Sequence, residues 1–170
     1  MTRYIALLRA VNVGATGRLS MADLRAMCVD AGWHQVETYI ASGNVVFDSA
    51  GSSADVKSAL EARMRAHAGK PVGVVLRTAT DMQAVLNGNP FPDRPADRTV
   101  AIFLDEPPRS DALDHAVGRS DEDMGLGRRE IYVHYPDGIG GSRLKIPAAA
   151  HGTARNMKTI AKRVGMAFKS

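Results

Sequence analysis

Apolar residues along this chain change period several times, and the changes divide it into short elements. Arg3 to Arg9 alternates weakly and predicts a strand. Ala10 to Leu19 reads as a loop containing Asn12, Gly14 and Gly17. Ser20 has the form of a helix N-cap, with Asp23 three residues on. Beyond it Met21, Leu24, Met27, Cys28 and Ala31 recur at helical spacing until Gly32. Val36 to Ile40 and Val45 to Phe47 are β-rich runs on either side of Ser42-Gly43-Asn44, which predicts a hairpin. A second helix follows Ser52 or Ser53, with Val56, Leu60 and Met64 as its apolar stripe and Gly69 and Pro71 at its end. Val72 to Leu76 then predicts a buried strand. Strand, helix, strand, strand, helix, strand is the order of a split βαβ, ferredoxin-like unit.

A short helix from about Asp81 to Leu86 leads into a Pro-rich linker, Phe91 to Asp97. The pattern then restarts. Thr99 to Leu104 predicts a strand and Asp111 to Val117 a helix. Asp121 to Met124 and Glu130 to Tyr135 predict two strands, turned by Gly125-Leu126-Gly127. Residues 136 to 152 are rich in Gly, Ala and Pro, and a last helix is expected from about Thr153 to Met166. The expected fold is therefore α+β, with tandem ferredoxin-like halves, antiparallel sheets and a C-terminal helix. The expected division is 1–78, 79–98 for the helix and linker, and 99–170.

Composition narrows the class. The 170 residues are 45% hydrophobic, enough for a core without metals or disulfides. The single cysteine, Cys28, excludes an internal disulfide and fits a reducing compartment. No apolar run approaches a signal peptide's core or a membrane span, so the expected location is cytoplasmic. A net charge of +4 is compatible with an anionic partner without requiring one.

Topology indicates where chemistry could gather. In a split βαβ sheet the end of strand one and the hairpin of strands two and three share one rim. Arg9, Asn12, Ser42 and Asn44 should meet there. A guanidinium fork, carboxamides and close-approaching glycine backbone suit a phosphate or carboxylate. The plainer account is that the Asn and Ser side chains satisfy loop backbone and that Arg9 pairs a carboxylate such as Asp48. The last helix is the second candidate. Thr153 is its expected cap, Asn156 lies in its expected first turn, and Arg155, Lys158 and Lys162 fall at steps of three and four. With Arg143 and Lys145 they form the densest positive segment. Such a set could track a nucleic-acid backbone or simply solvate a surface.

Other chemistry is sparse. Gly14-Ala15-Thr16-Gly17-Arg18 lacks P-loop spacing. The five histidines form no H-x-x-x-H pair, so no metal or cofactor is expected. His134, between Tyr132 and Tyr135, is the best general-base candidate, although a half-buried aromatic strand position explains it better. Asp121-Glu122-Asp123 could bind a cation or be solvated. Cys28, on an apolar helix face, reads as core. With 5% aromatics there is no stacking stripe for single-stranded nucleic acid. An enzyme using the same rim, with Arg9 as electrostatic stabiliser, stays open.

Four segments carry a resemblance. Arg9-Ala10-Val11-Asn12-Val13-Gly14, Tyr39 to Phe47, Tyr132 to Gly138, and Thr153-Ala154-Arg155-Asn156 together resemble the bacterial domain of unknown function 1697. The resemblance implies tandem ferredoxin-like halves in one compact protein and brings no activity. Its motifs coincide with the rim and with the expected start of the last helix, which favours Arg9, Asn12, Ser42, Asn44, Arg155 and Asn156 as contacts for a small anionic ligand. Two residues depart from the pattern: Ala15 stands where a second glycine is expected, and Met157 where Trp is usual after Arg-Asn.

Overall fold

Ser20 opens the first helix because its hydroxyl accepts the Asp23 amide at 3.0 Å while the Asp23 carboxylate reaches back to the Ser20 amide. This capping box satisfies two N–H groups that the helix itself cannot. The computed structural model describes residues 1–9, 20–39, 43–69 and 71–168. Asn12, Ala15 and Ser42 therefore lie outside the described residues.

The chain forms two compact units, Met1–Met82 with Arg163–Ser170, and Gln83–Lys162. The first contains β1 (Thr2–Leu8), α1 (Met21–Asp30), β2 (His34–Tyr39), β3 (Asn44–Ser49), α2 (Ser53–Ala68) and β4 (Val74–Thr78). Ser52 caps α2 and Gly69, at φ +73°, ends it in the left-handed conformation that glycine tolerates. The sheet order is β2-β3-β1-β4, with every neighbouring pair antiparallel. This is the strand order that a split βαβ unit requires. Tyr4, Ala6, Leu8, Val45, Phe47, Val74 and Leu76 face α1 and α2, where they meet Leu24, Cys28, Val56, Leu60 and Met64. Burial pushes the Cys28 thiol up to about 12, so it remains a protonated, inert core group. The opposite sheet face is also buried at Ile5, Leu7, Asn44, Val46, Val75 and Arg77.

α3 (Ala79–Asn87) starts in the first unit, with the Thr78 hydroxyl accepting the Asp81 amide. The second unit contains β5 (Thr99–Phe103), β6 (Asp123–Leu126), β7 (Glu130–His134) and β8 (Thr153–Asn156), again antiparallel, in the order β6-β7-β5-β8. α4 (Met157–Ala167) follows β8 directly. The chain is α+β, with two four-stranded antiparallel sheets and a C-terminal helix. Among the described residues no helix is long and apolar enough to cross a membrane.

Three expectations are corrected in the second unit. The helix expected over Asp111 to Val117 is only a 3-10 turn, Ala112–His115. Too few residues separate Pro108 from Gly118, at φ +73°, to repay helix nucleation. Gly125 and Leu126 belong to β6, and the turn is Gly127 to Arg129. Gly125 is a strand glycine because the linker crosses it: a Cβ there would stand 2.9 Å from Pro90. Thr153 is not a helix cap. It pairs with Phe103 in β8, and α4 begins only at Met157.

Candidate functional site

At one end of the first sheet three strands meet. Leu7 of β1 faces Asn44 of β3. Leu8 N–H donates to the Gly43 carbonyl at 2.8 Å, and Arg9 N–H donates to the Gly73 carbonyl at 2.9 Å. Arg9 and Asn44 thus share one sheet end, with Cα positions about 8 Å apart from strand spacing and rise. They also share one face, because Arg9 continues the alternation of Ile5 and Leu7 while Asn44 stands opposite Leu7. The Arg9 guanidinium lies across Gly73, where an added Cβ would stand 3.2 Å from Nη1. Glycine leaves room there for the arginine to lie along the backbone. Asp48, the alternative partner for Arg9, pairs with Arg3 at 3.4 Å towards the other end of the sheet.

The two expected contacts differ in access. Arg9 is half-buried, whereas Asn44 is fully buried. A buried carboxamide is hydrogen-bonded as a rule, so Asn44 is engaged within the protein and not presented to solvent. Two further residues belong to this end. Tyr39, the last residue of β2, pairs with Asn44. The Arg163 guanidinium of α4 lies 3.7 Å above the Tyr39 ring. The Tyr39 hydroxyl donates to Glu37 at 3.1 Å, and Arg163 Nη1 donates to the Met166 sulfur at 3.1 Å. Burial, then the bond to Glu37, raises the Tyr39 pKa. Burial lowers that of Arg163, opposed by Tyr39. Tyr39 was findable from its place before the hairpin. Arg163 was not, since nothing in α4's sequence fixes which turn meets which strand.

The C-terminal candidates resolve differently. Asn156 is the cap of α4, its Oδ1 accepting the Thr159 amide at 2.8 Å. Arg155 lies on β8 opposite Ala101, and its Nη1 donates to the Ala154 carbonyl at 2.9 Å. Burial lowers its pKa to about 10, which leaves it cationic at neutral pH. Arg155 therefore does not share a helix face with Lys158 and Lys162, as the expected helix start implied. Those two lysines are exposed on α4, and Arg143 and Lys145 are exposed in the preceding loop.

His134 is a buried strand residue whose Nδ1 lies 2.9 Å from the Thr99 hydroxyl. Burial first, and then the Arg94 charge, lower its pKa. The unfolded chain therefore takes up the proton more readily, and stability should fall as pH drops through the ordinary histidine value of about 6.5. Denaturation midpoints at pH 7.5 and 5.5 should show a larger acid loss in the wild type than in His134→Gln. Equal losses would assign the acid sensitivity elsewhere.

A 290 Å³ cavity in the second unit is lined by Asp121, Glu122, Tyr135, Asp137 and Ser142 among others. Its carboxylates are spoken for. Glu122 accepts from the Ser120 amide and the Ser142 hydroxyl, which hold its pKa down. Asp121 hydrogen-bonds Asp137, which raises its pKa. Asp123 pairs with Arg94 at 3.1 Å and Arg119 at 3.6 Å. The run Asp121-Glu122-Asp123 thus serves three sets of partners rather than one cation, and no group of three or more such ligands occurs among the described residues.

The two sheets repeat one backbone plan at the rim. Leu104 N–H donates to the Arg129 carbonyl at 2.9 Å, as Leu8 does to Gly43. Phe103 faces Glu130 as Leu7 faces Asn44. Extending both registers sets Asp105 in the position of Arg9 and His151 in that of Gly73. The same strand geometry therefore forms with Asp105 in the place of Arg9, Glu130 in that of Asn44 and His151 in that of Gly73.

The family model for a protein of unknown function (DUF1697) matches residues 1–132. The chain belongs to this family. It is also similar to a solved structure, that of the conserved bacterial protein SP0830 from Streptococcus pneumoniae, at 30% identity and a TM-score of 0.80 over 99% of each chain. No curated protein matches it. The Arg9 to Gly14 and Tyr39 to Phe47 segments fall within the matched residues, and Thr153 to Asn156 falls beyond them.

Proposed function

We propose that this DUF1697 protein binds a small ligand bearing a phosphate or carboxylate at the first-sheet rim, with Arg9 as the principal contact. The observation that carries this reading is the half-buried Arg9 guanidinium laid over Gly73 at the strand end. The register-equivalent position of the other sheet holds Asp105 with His151, so the strand plan does not dictate the Arg–Gly pair. A planar guanidinium in a partly dehydrated setting favours anions that accept two parallel hydrogen bonds.

A thermal-shift screen against nucleotides, phosphorylated metabolites and dicarboxylates tests the reading. A ligand at ~100 times its dissociation constant adds about 2.7 kcal/mol, or roughly 5–10 °C for a chain of this size. Arg9→Ala should weaken the hit by about 10- to 100-fold, the worth of a charge-assisted hydrogen bond. A hit whose affinity is unchanged in Arg9→Ala places the ligand elsewhere, and no hit across the three classes removes the reading.

A further inference from the structure

We propose that residues 90–95 form a strap over the second sheet that acid releases, with Asp123 as the latch, exchanging Arg94 of the strap for His134 beneath it. This inference concerns the second unit alone and is independent of the anion-binding reading above.

Several contacts seat the strap on one sheet face. Register places Thr99, His134 and Asp123 side by side across β5, β7 and β6, with Tyr132 and Gly125 as a pair two residues along on the same face. Pro90 crosses Gly125, where a Cβ would stand 2.9 Å from the proline ring. The Phe91 ring stands 6.3 Å from that of His134, tilted by 48°. Arg94 Nη1 pairs with the Asp123 carboxylate at 3.1 Å.

The hydrogen bonds fix where acid acts. The Thr99 hydroxyl donates to the Pro95 carbonyl at 3.0 Å and has no second proton to give. Its 2.9 Å contact with His134 Nδ1 therefore puts the imidazole proton on Nδ1 and leaves Nε2 as the basic nitrogen. A proton added at Nε2 keeps this chain of hydrogen bonds and charges the ring. The charged groups around it are Arg94 from the strap, Arg98 from the turn before β5, and Asp121 and Asp123 from the β6 segment. Asp123 stands directly opposite His134 and is held by Arg94 and, at 3.6 Å, by Arg119. An imidazolium competes with Arg94 for this carboxylate and repels the arginine that loses it. Burial first, and then Arg94, lower the His134 pKa while the strap is seated. A lifted strap returns it towards about 6.5, so the lifted form takes up the proton more readily and acid populates it.

NMR of the full chain from about pH 8 to about pH 4.5 tests the latch, following the His134 imidazole C–H shift and the heteronuclear NOE of the Phe91, Asp93 and Arg94 amides. In the wild type the imidazole midpoint should lie below about 6.5, and the strap NOE should fall with that same midpoint while Ala101 and Val133 keep theirs. Arg94→Ala, at an exposed position, should raise the imidazole midpoint and loosen the strap already at neutral pH. His134→Gln, which cannot take the charge, should keep the strap ordered throughout. A strap that stays ordered while the imidazole titrates, a midpoint unchanged in Arg94→Ala, or the same loss of order in His134→Gln overturns the proposal. Should His134→Gln not fold, the wild-type and Arg94→Ala titrations still decide.

Discussion

Phe47→Ala should lower the stability of the first unit by about 3–5 kcal/mol, the cost of removing a large aromatic from a closed core. Phe47 is fully buried in β3. It stacks on Trp33 with ring centroids 4.3 Å apart and planes 9° from parallel, and it lies 5.9 Å from the Tyr4 ring. Its side chain joins the sheet to the start of β2 and to both helices that cover this face. Truncation leaves a cavity between elements that are tied by their own hydrogen bonds and can collapse only partly. Trp33 is the only tryptophan in the chain, so its fluorescence reports this unit. A urea titration followed at Trp33 should show a markedly lower midpoint. A midpoint shift equivalent to less than about 1 kcal/mol would mean that this face repacks far more freely than its geometry implies.

Gly118→Ala should cost the second unit about 2–4 kcal/mol, for two separate reasons. Gly118 has φ +73°, a conformation that alanine adopts at a penalty. A Cβ there would also stand 2.1 Å from the Arg143 carbonyl oxygen, which is backbone and cannot rotate away. Beside it, Val117 and Lys145 exchange hydrogen bonds of 2.9 and 2.8 Å that join two walls of the 290 Å³ cavity. The substitution must break this bridge or shift the loop backbone at Arg143. Hydrogen exchange at the Val117 and Lys145 amides should accelerate sharply, while the amides of β1 and β3 keep their protection. Unchanged exchange at both bridge amides would show that the loop absorbs the methyl group without opening.

The parts of the fold that local chemistry dictates were legible in the sequence. Ser20 with Asp23, Ser52 and Gly69 bound their helices where the capping rules place them. The alternation around Gly43 and Asn44 gave the hairpin, and with it the antiparallel β1–β3 pairing that brings Arg9 and Asn44 to one end. What failed depended on tertiary partners. Gly125 reads as a turn residue until Pro90 is seen crossing it. Thr153 reads as a cap until its pairing with Phe103 draws it into a strand. The start of α4 then moves to Met157, Asn156 becomes its cap, and Arg155 leaves the basic helix face. A four-residue error in one boundary was enough to reassign three candidate residues.

The rim itself was half legible. Strand order predicted that Arg9 and Asn44 share an end, but period-two alternation alone could not show that Asn44 is fully enclosed while Arg9 is only half so. Tyr39 stood in plain view beside the hairpin. Arg163 was hidden because the burial of Val164 and Ala167 marks an inward face of α4 without showing which strand end the arginine meets.

The most direct test is amide NMR of the isotopically labelled protein during titration with inorganic phosphate. Shifts confined to Leu8, Arg9, Gly43 and Gly73 in the wild type, and absent from Arg9→Ala, are what the rim geometry requires. Saturable shifts centred on the Lys158–Lys162 face or the 290 Å³ cavity, with the Arg9 and Gly73 amides unmoved, would contradict it.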